Sequence, residues 1–149
     1  MKKNNLLVLV SCVLFVGCSG TSPDLGVSNG ELTPCPPTPN CVNSQGADEN
    51  HKILPFPYDG TEQEAKERLL EVLKLEARAK VITANESYVR AEFTSSLFRF
   101  VDDVEFYISK TPTGATIIDV RSASRLGSSD LGANRKRIER LRSEFILSH

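Results

Sequence analysis

Tryptophan is absent from this 149-residue chain, methionine occurs only as Met1, and histidine only as His51 and His149. Two imidazoles and four cysteines without a CxxC pair argue against a zinc site, and no metal or other cofactor is expected. Basic surplus is lacking too. The formal charge is −1, and removing a leader with Lys2 and Lys3 takes it to −3. A chain without excess cations cannot neutralise a phosphate backbone, so nucleic acid is excluded as a partner. No apolar run approaches the ~20 residues needed to span a bilayer. Neither a GxSxG elbow nor an internal repeat occurs, so nothing local marks a serine nucleophile.

What is there begins with an export signal. Lys2 and Lys3 precede an apolar run from Leu6 to Val16, and Phe15-Val16-Gly17-Cys18 resembles a bacterial lipobox, in which the cysteine is lipid-modified and becomes the new N-terminus. Leu9-Val10-Ser11-Cys12 fits the same pattern but leaves an apolar region of only about six residues. The reading is a lipoprotein signal peptide over 1–17, lipidation at Cys18, and residence in the bacterial cell envelope. Ser19 after the cysteine implies outer-membrane sorting, facing the periplasm, if the host is Gram-negative. Several acyl chains on one residue exceed what stable anchoring needs, so the membrane is the expected partner.

Outside the cytoplasm, the two cysteines that remain, Cys35 and Cys41, read as a disulfide. Closing a loop of about seven residues contributes on the order of 2 kcal/mol. Residues 18–33 are rich in Gly, Ser and Thr and are expected to be a flexible tether. One domain is expected over 34–149. Its first part, to Asn50, reads as loop, and His51 to Tyr58 as an extended edge segment with Ile53, Leu54 and Phe56 as apolar plugs.

Thr61 and Glu64 form a capping-box pattern that starts a helix running to about Ala79, with Ala65, Leu69, Val72, Leu73 and Ala77 as its apolar stripe. Four strands follow, over Lys80–Ala84, Tyr88–Ser95, Val101–Ser109 and Ala115–Arg125. In the third, Val104, Phe106 and Ile108 alternate with outward Asp103, Glu105 and Tyr107. A second helix starts near Asp130 as N-cap, with Leu131, Ile138, Leu141 and Phe145 on one face. The fold class is therefore α+β: a four-stranded, mostly antiparallel sheet with two helices on one face, in the order α-β-β-β-β-α.

Arg135, Lys136 and Arg137 lie in the first two turns of that second helix, where the dipole disfavours cations. Three readings stand: ion pairs to Asp102, Asp103 or Asp119 of the sheet, a solvated face with Glu139 and Glu144, or an anion or lipid-headgroup site. Gly127 to Asp130 could present N–H groups to an anion, with Arg121 and Arg125 nearby, although Asp130 as cap competes for the same donors. A hydrolase would have to use His51; the plainer reading of His51 is a loop residue bonded to backbone.

The motifs Leu32 to Ser44, His51-Lys-Ile53, Phe100-Val-Asp-Asp-Val-Glu-Phe106 and Val120 to Ile138 resemble the domain of unknown function 1499 family, over roughly Leu32 to Phe145. Asn43 and Ser128 depart from its usual Ser and aromatic residues. The resemblance implies a bacterial-envelope or plastid setting and no particular reaction. Its recurrent polar positions correspond here to His51, Asp102, Asp103, Arg121, Ser122, Ser124, Arg125, Ser129, Asp130, Asn134 and Arg135, which make up the candidate binding site. The expected function is that of a lipid-anchored, non-enzymatic binding or accessory domain for a small anionic ligand or an envelope protein. The alternative is a hydrolase-like enzyme that uses His51 with a Ser or Asp of this cluster.

Overall fold

The computed structural model describes residues 20–46 and 48–147; the expected signal peptide and Cys18 lie outside them. The fold is α+β with two helices and a mostly antiparallel sheet, but the sheet has six strands rather than four. A two-stranded hairpin, β1 (Val27–Ser28) and β2 (Glu31–Leu32), precedes it. The main sheet contains β3 (Cys41–Asn43), β4 (Phe56–Tyr58), β5 (Ala79–Ala84), β6 (Tyr88–Thr94), β7 (Val101–Lys110) and β8 (Thr116–Ser124). Its order is β3-β8-β7-β6-β5, and β4 also pairs with β8.

The two extra strands come from the proline-rich segments read as loop and edge. Cys41 to Asn43 pair with one end of β8 and Phe56 to Tyr58 with the other, so two short pieces share one edge. Periodicity is invisible over three residues, and Pro57, which lacks an N–H, fits only such an edge. Ile53 and Phe56 are buried as expected, whereas Leu54 is exposed.

Helix α1 (Glu62–Leu75) has the full capping box: the Glu64 N–H donates to Thr61 Oγ1, and the Thr61 N–H to Glu64 Oε2. It ends before Ala79 because Glu76 is already extended, and the Ala79 N–H bonds back to the Glu76 carbonyl as the chain turns into β5. Ala77 is therefore exposed and outside the stripe formed by Ala65, Leu69, Val72 and Leu73.

Helix α2 (Ala133–Leu147) begins three residues after Asp130. Leu131 and Gly132 both have positive φ, so Leu131 points away from the core, and Ile138, Leu141 and Phe145 form the buried face. Asp130 caps the turn by accepting from the N–H groups of Gly132 and Asn134.

Cross-strand register assigns the two faces of the sheet. Val89, Val104, Phe106, Ile118 and Val120 share one core with Leu69 of α1 and Ile138 and Phe145 of α2, so both helices cover the same face. Phe56 sits at its centre, with Phe106 and Phe145 rings at 5.9 and 5.6 Å. The opposite face carries Tyr88, Arg90, Glu92, Asp103, Glu105 and Arg121 by the same parity. Asp103 and Glu105, expected to point outward, do so and are nonetheless buried.

What covers them includes part of the stretch expected as a tether. Arg90 donates to Ser22 Oγ at 2.8 Å and to the Pro23 carbonyl at 3.3 Å, Leu32 is buried, and Gln45 joins the Leu32 N–H to the Gly30 carbonyl. Residues 20–33 thus lie as a strap on the sheet, held by polar bonds that a composition poor in apolar groups does not reveal. Cys35 and Cys41 are disulfide-bonded, with a Cα–Cα separation of 5.7 Å, which pins the proline-rich loop to β3.

Candidate functional site

His51 follows a turn in which its N–H bonds to Asp48. Nδ1 lies 2.8 Å from Asp48 Oδ2, and Nε2 lies 3.1 Å from the Thr38 carbonyl. Both partners can only accept, so the doubly protonated ring satisfies the site best. Accordingly the Asp48 bond, followed by the Thr38 carbonyl, raises the His51 pKa above its ordinary 6.5. Both ring nitrogens are thus occupied, by Asp48 and by the Thr38 carbonyl.

A raised histidine pKa contributes stability that is fully present below 6.5 and is lost as pH rises through the folded value. Asp48 is lowered chiefly by the same bond, and its share is lost only as pH falls through its folded value, below 3.8. Between about pH 6 and 8 the melting temperature of the wild type is expected to fall relative to that of His51→Gln. Parallel pH profiles in differential scanning calorimetry would show that the ring is not held as the cation.

The remaining polar residues are divided by the sheet. On the helix-covered face Asn134, fully buried, is the hub: its Oδ1 accepts from Ser122 Oγ and from Arg137 Nη1, and its Nδ2 donates to the Asn40 carbonyl, Ser124 Oγ and Asp130 Oδ2. Arg137 also reaches Asp102 at 2.5 Å and lies over the Phe93 ring at 4.9 Å. Of the three cations in the first turns of α2, one therefore pairs with a sheet carboxylate. Arg135 instead donates to the carbonyls of Asn50 and Lys52, at 2.8 and 2.7 Å, tying the His51 loop to the helix. Ser129 accepts the Leu131 N–H, in the turn.

The opposite face holds Asp103, Arg121 and Arg125 with partners that no local motif marked. Asp103 receives Arg90 Nη2 at 2.6 Å and Arg125 Nε at 2.7 Å, and Arg125 also pairs with Glu92. Arg121 Nη1 donates to Glu105 Oε2 at 3.1 Å, and the Tyr88 hydroxyl to Glu105 Oε1 at 2.9 Å. Register supplies the reason: Arg90 and Glu105 are direct cross-strand partners, as are Glu105 and Arg121. Burial pushes the Asp103 pKa up, but the bonds from Arg125 and Arg90 outweigh it and hold the carboxyl below its ordinary value. At Glu105 burial wins over Tyr88 and Arg121 and lifts the pKa. The alternation expected for β7 carried half of this signal; the other half is the register of β6 and β8 against it.

Among the described residues no group of three His, Cys, Asp or Glu side chains is placed to hold a metal ion. A family model described as "Protein of unknown function (DUF1499)" matches residues 31–145.

The chain belongs to the DUF1499 family. The matched span runs from β2 to the last turns of α2 and so contains both polar networks, whereas the first part of the strap, before residue 31, lies ahead of it. No curated protein matches the chain. In this DUF1499 domain a recess of about 200 Å³, open to solvent, lies between the strap and the sheet, lined by Thr21, Pro23 and Leu25 on one side and Asp103, Arg121 and Arg125 on the other. Arg121 is 7% exposed, and its Nε has no hydrogen-bond partner among the described residues.

Proposed function

We propose that this DUF1499 protein is exported, anchored in the bacterial envelope through lipid on Cys18, and works as a non-enzymatic binding module that takes a small anion into the recess beside Arg121. The supporting observation is the buried Arg121 Nε. A desolvated guanidinium N–H without an acceptor is costly, and an anionic oxygen in the recess would satisfy it. Glu105 engages only Arg121 Nη1, so the Nε edge of the same guanidinium is left for a ligand. The leader, the lipobox-like sequence and a disulfide outside the reducing cytoplasm support the address. On this reading the helix-side polar residues brace the fold, and the ligand-facing ones are Arg121 and Arg125.

Titrating the protein with inorganic phosphate or acetate is expected to shift the Arg121 Nε–Hε resonance saturably. Arg121→Lys, which keeps the charge and removes that N–H, should weaken the response roughly tenfold, in line with loss of one charged hydrogen bond. An unmoved Nε–Hε signal at saturating anion would defeat the binding reading.

A further inference from the structure

The register places one end of the sheet under unusual demands. β5 begins there at Ala79, β6 ends at Thr94, β7 begins at Val101, and β8 ends at Ser124, whose successor Arg125 bonds the Val101 carbonyl. The loops at this end expose large apolar side chains. Leu97 is 78% and Phe98 64% exposed, and Phe100 is exposed beside Phe98, their rings 5.6 Å apart. Leu75 at the end of α1, Leu126 after β8 and Leu131 before α2 are exposed as well. The 95–100 loop is not slack: the Ser95 N–H bonds the Phe100 carbonyl, and the Phe100 N–H bonds Ser95 Oγ. A folded loop that holds two phenylalanines in water costs free energy unless something apolar meets it.

Cations surround this tip. Arg78, Lys80 and Arg99 line one recess with Thr94 to Ser96, and Arg78 and Lys136 line the adjoining one. None of these four makes an ion pair among the described residues; the acids nearby are Glu76, Asp102 and Glu92, the cross-strand partner of Lys80, and they pair with Arg140, Arg137 and Arg125. Gly20, two positions after Cys18 in the sequence, lies beside Arg125 and Leu126 at this same end.

We infer that this end of the domain docks on an anionic lipid surface, with Leu97, Phe98 and Phe100 entering the headgroup–acyl boundary and Arg78, Lys80, Arg99 and Lys136 meeting lipid phosphates. Apolar tip, cationic collar and proximity to the anchored end are what an interfacial membrane contact combines, and two weak contacts beside a lipid chain hold a domain down rather than swinging free. The inference rests on the anchoring reading and extends it: the strap fixes which end of the domain faces the bilayer.

The absence of tryptophan makes the test direct. In full-length protein reconstituted into phosphatidylglycerol-containing vesicles, Phe98→Trp is expected to emit blue-shifted fluorescence quenched by brominated acyl chains. Thr113→Trp, in the β7–β8 turn at the opposite end, should emit as in water. Arg78→Gln, at a cation without a carboxylate partner, should lower the docked-to-free ratio on the order of fivefold. Water-like emission from Phe98→Trp in anchored protein overturns the inference, and so does a shift seen in native membranes but not in protein-free vesicles, which would assign the surface to a protein partner. Palmitate labelling that does not depend on Cys18 defeats the anchoring reading separately. The Phe98→Trp signal on adding vesicles to the unanchored chain then still decides this surface.

Discussion

Replacing Asp103 by alanine is expected to lower the unfolding free energy by about 3–5 kcal/mol, the range for removing one member of a buried ionic group. Asp103 is 1% exposed and accepts from two guanidinium groups, those of Arg90 and Arg125. Neither arginine can move to water without releasing the strap residues Ser22 and Pro23 or the Glu92 pair. Arg90, Arg121 and Arg125 would then share two remaining carboxylates, Glu92 and Glu105, in a desolvated layer. Asp103→Asn keeps an acceptor oxygen in the same place and should lose less. Because Asp103 is held below its ordinary 3.8, its contribution is present above that value and disappears as pH falls through the folded one, so the two variants should converge with wild type only in strong acid. Urea unfolding with the disulfide intact measures all three. A loss below about 1 kcal/mol for Asp103→Ala would mean that the network is solvated and the strap does not seal it.

The second large effect belongs to Asn134. Asn134→Ala is expected to cost about 1–3 kcal/mol, because the buried Ser122 hydroxyl loses the acceptor of its proton, while the Asn40 carbonyl keeps only the Ser124 N–H. The same change leaves Arg137 Nη1 with Ser122 Oγ alone and weakens the hold of α2 on β8. Hydrogen exchange should show the 38–41 segment and the first turn of α2 opening together, since Asn134 Nδ2 bonds the Asn40 carbonyl and the Asp130 cap at once. A variant as stable as wild type would remove the bracing role and return Ser122, Ser124 and Asn134 to the candidate site. Double-mutant cycles between Asp102 and Arg137 extend the same test, since coupled residues depart from additivity.

The polar positions singled out by family resemblance thus separate into unlike sets. His51 and Arg135 brace a loop, and Ser122, Ser124, Asp130 and Asn134 bind helix to sheet together with Asp102. Arg121, Arg125 and Asp103 form part of a covered layer on the far side. Adjacent Asp102 and Asp103 show the division most simply, for a strand sends neighbouring side chains to opposite faces.

Local chemistry was enough for some of this. The capping box at Thr61, the two-residue alternation of β7, the 3.6-residue stripe of α1 and the pairing of Cys35 with Cys41 are encoded within a few residues of one another, so the sequence by itself determined them. The two three-residue strands on β8, the strap across the polar face, and the partnerships of Arg90 with Asp103 and Arg137 with Asp102 join residues far apart in the chain. Those depend on strand register and on which side of the sheet each segment crosses. Only the tertiary structure decides them, because the free energy of burying a charge is set by neighbours that linear order does not specify.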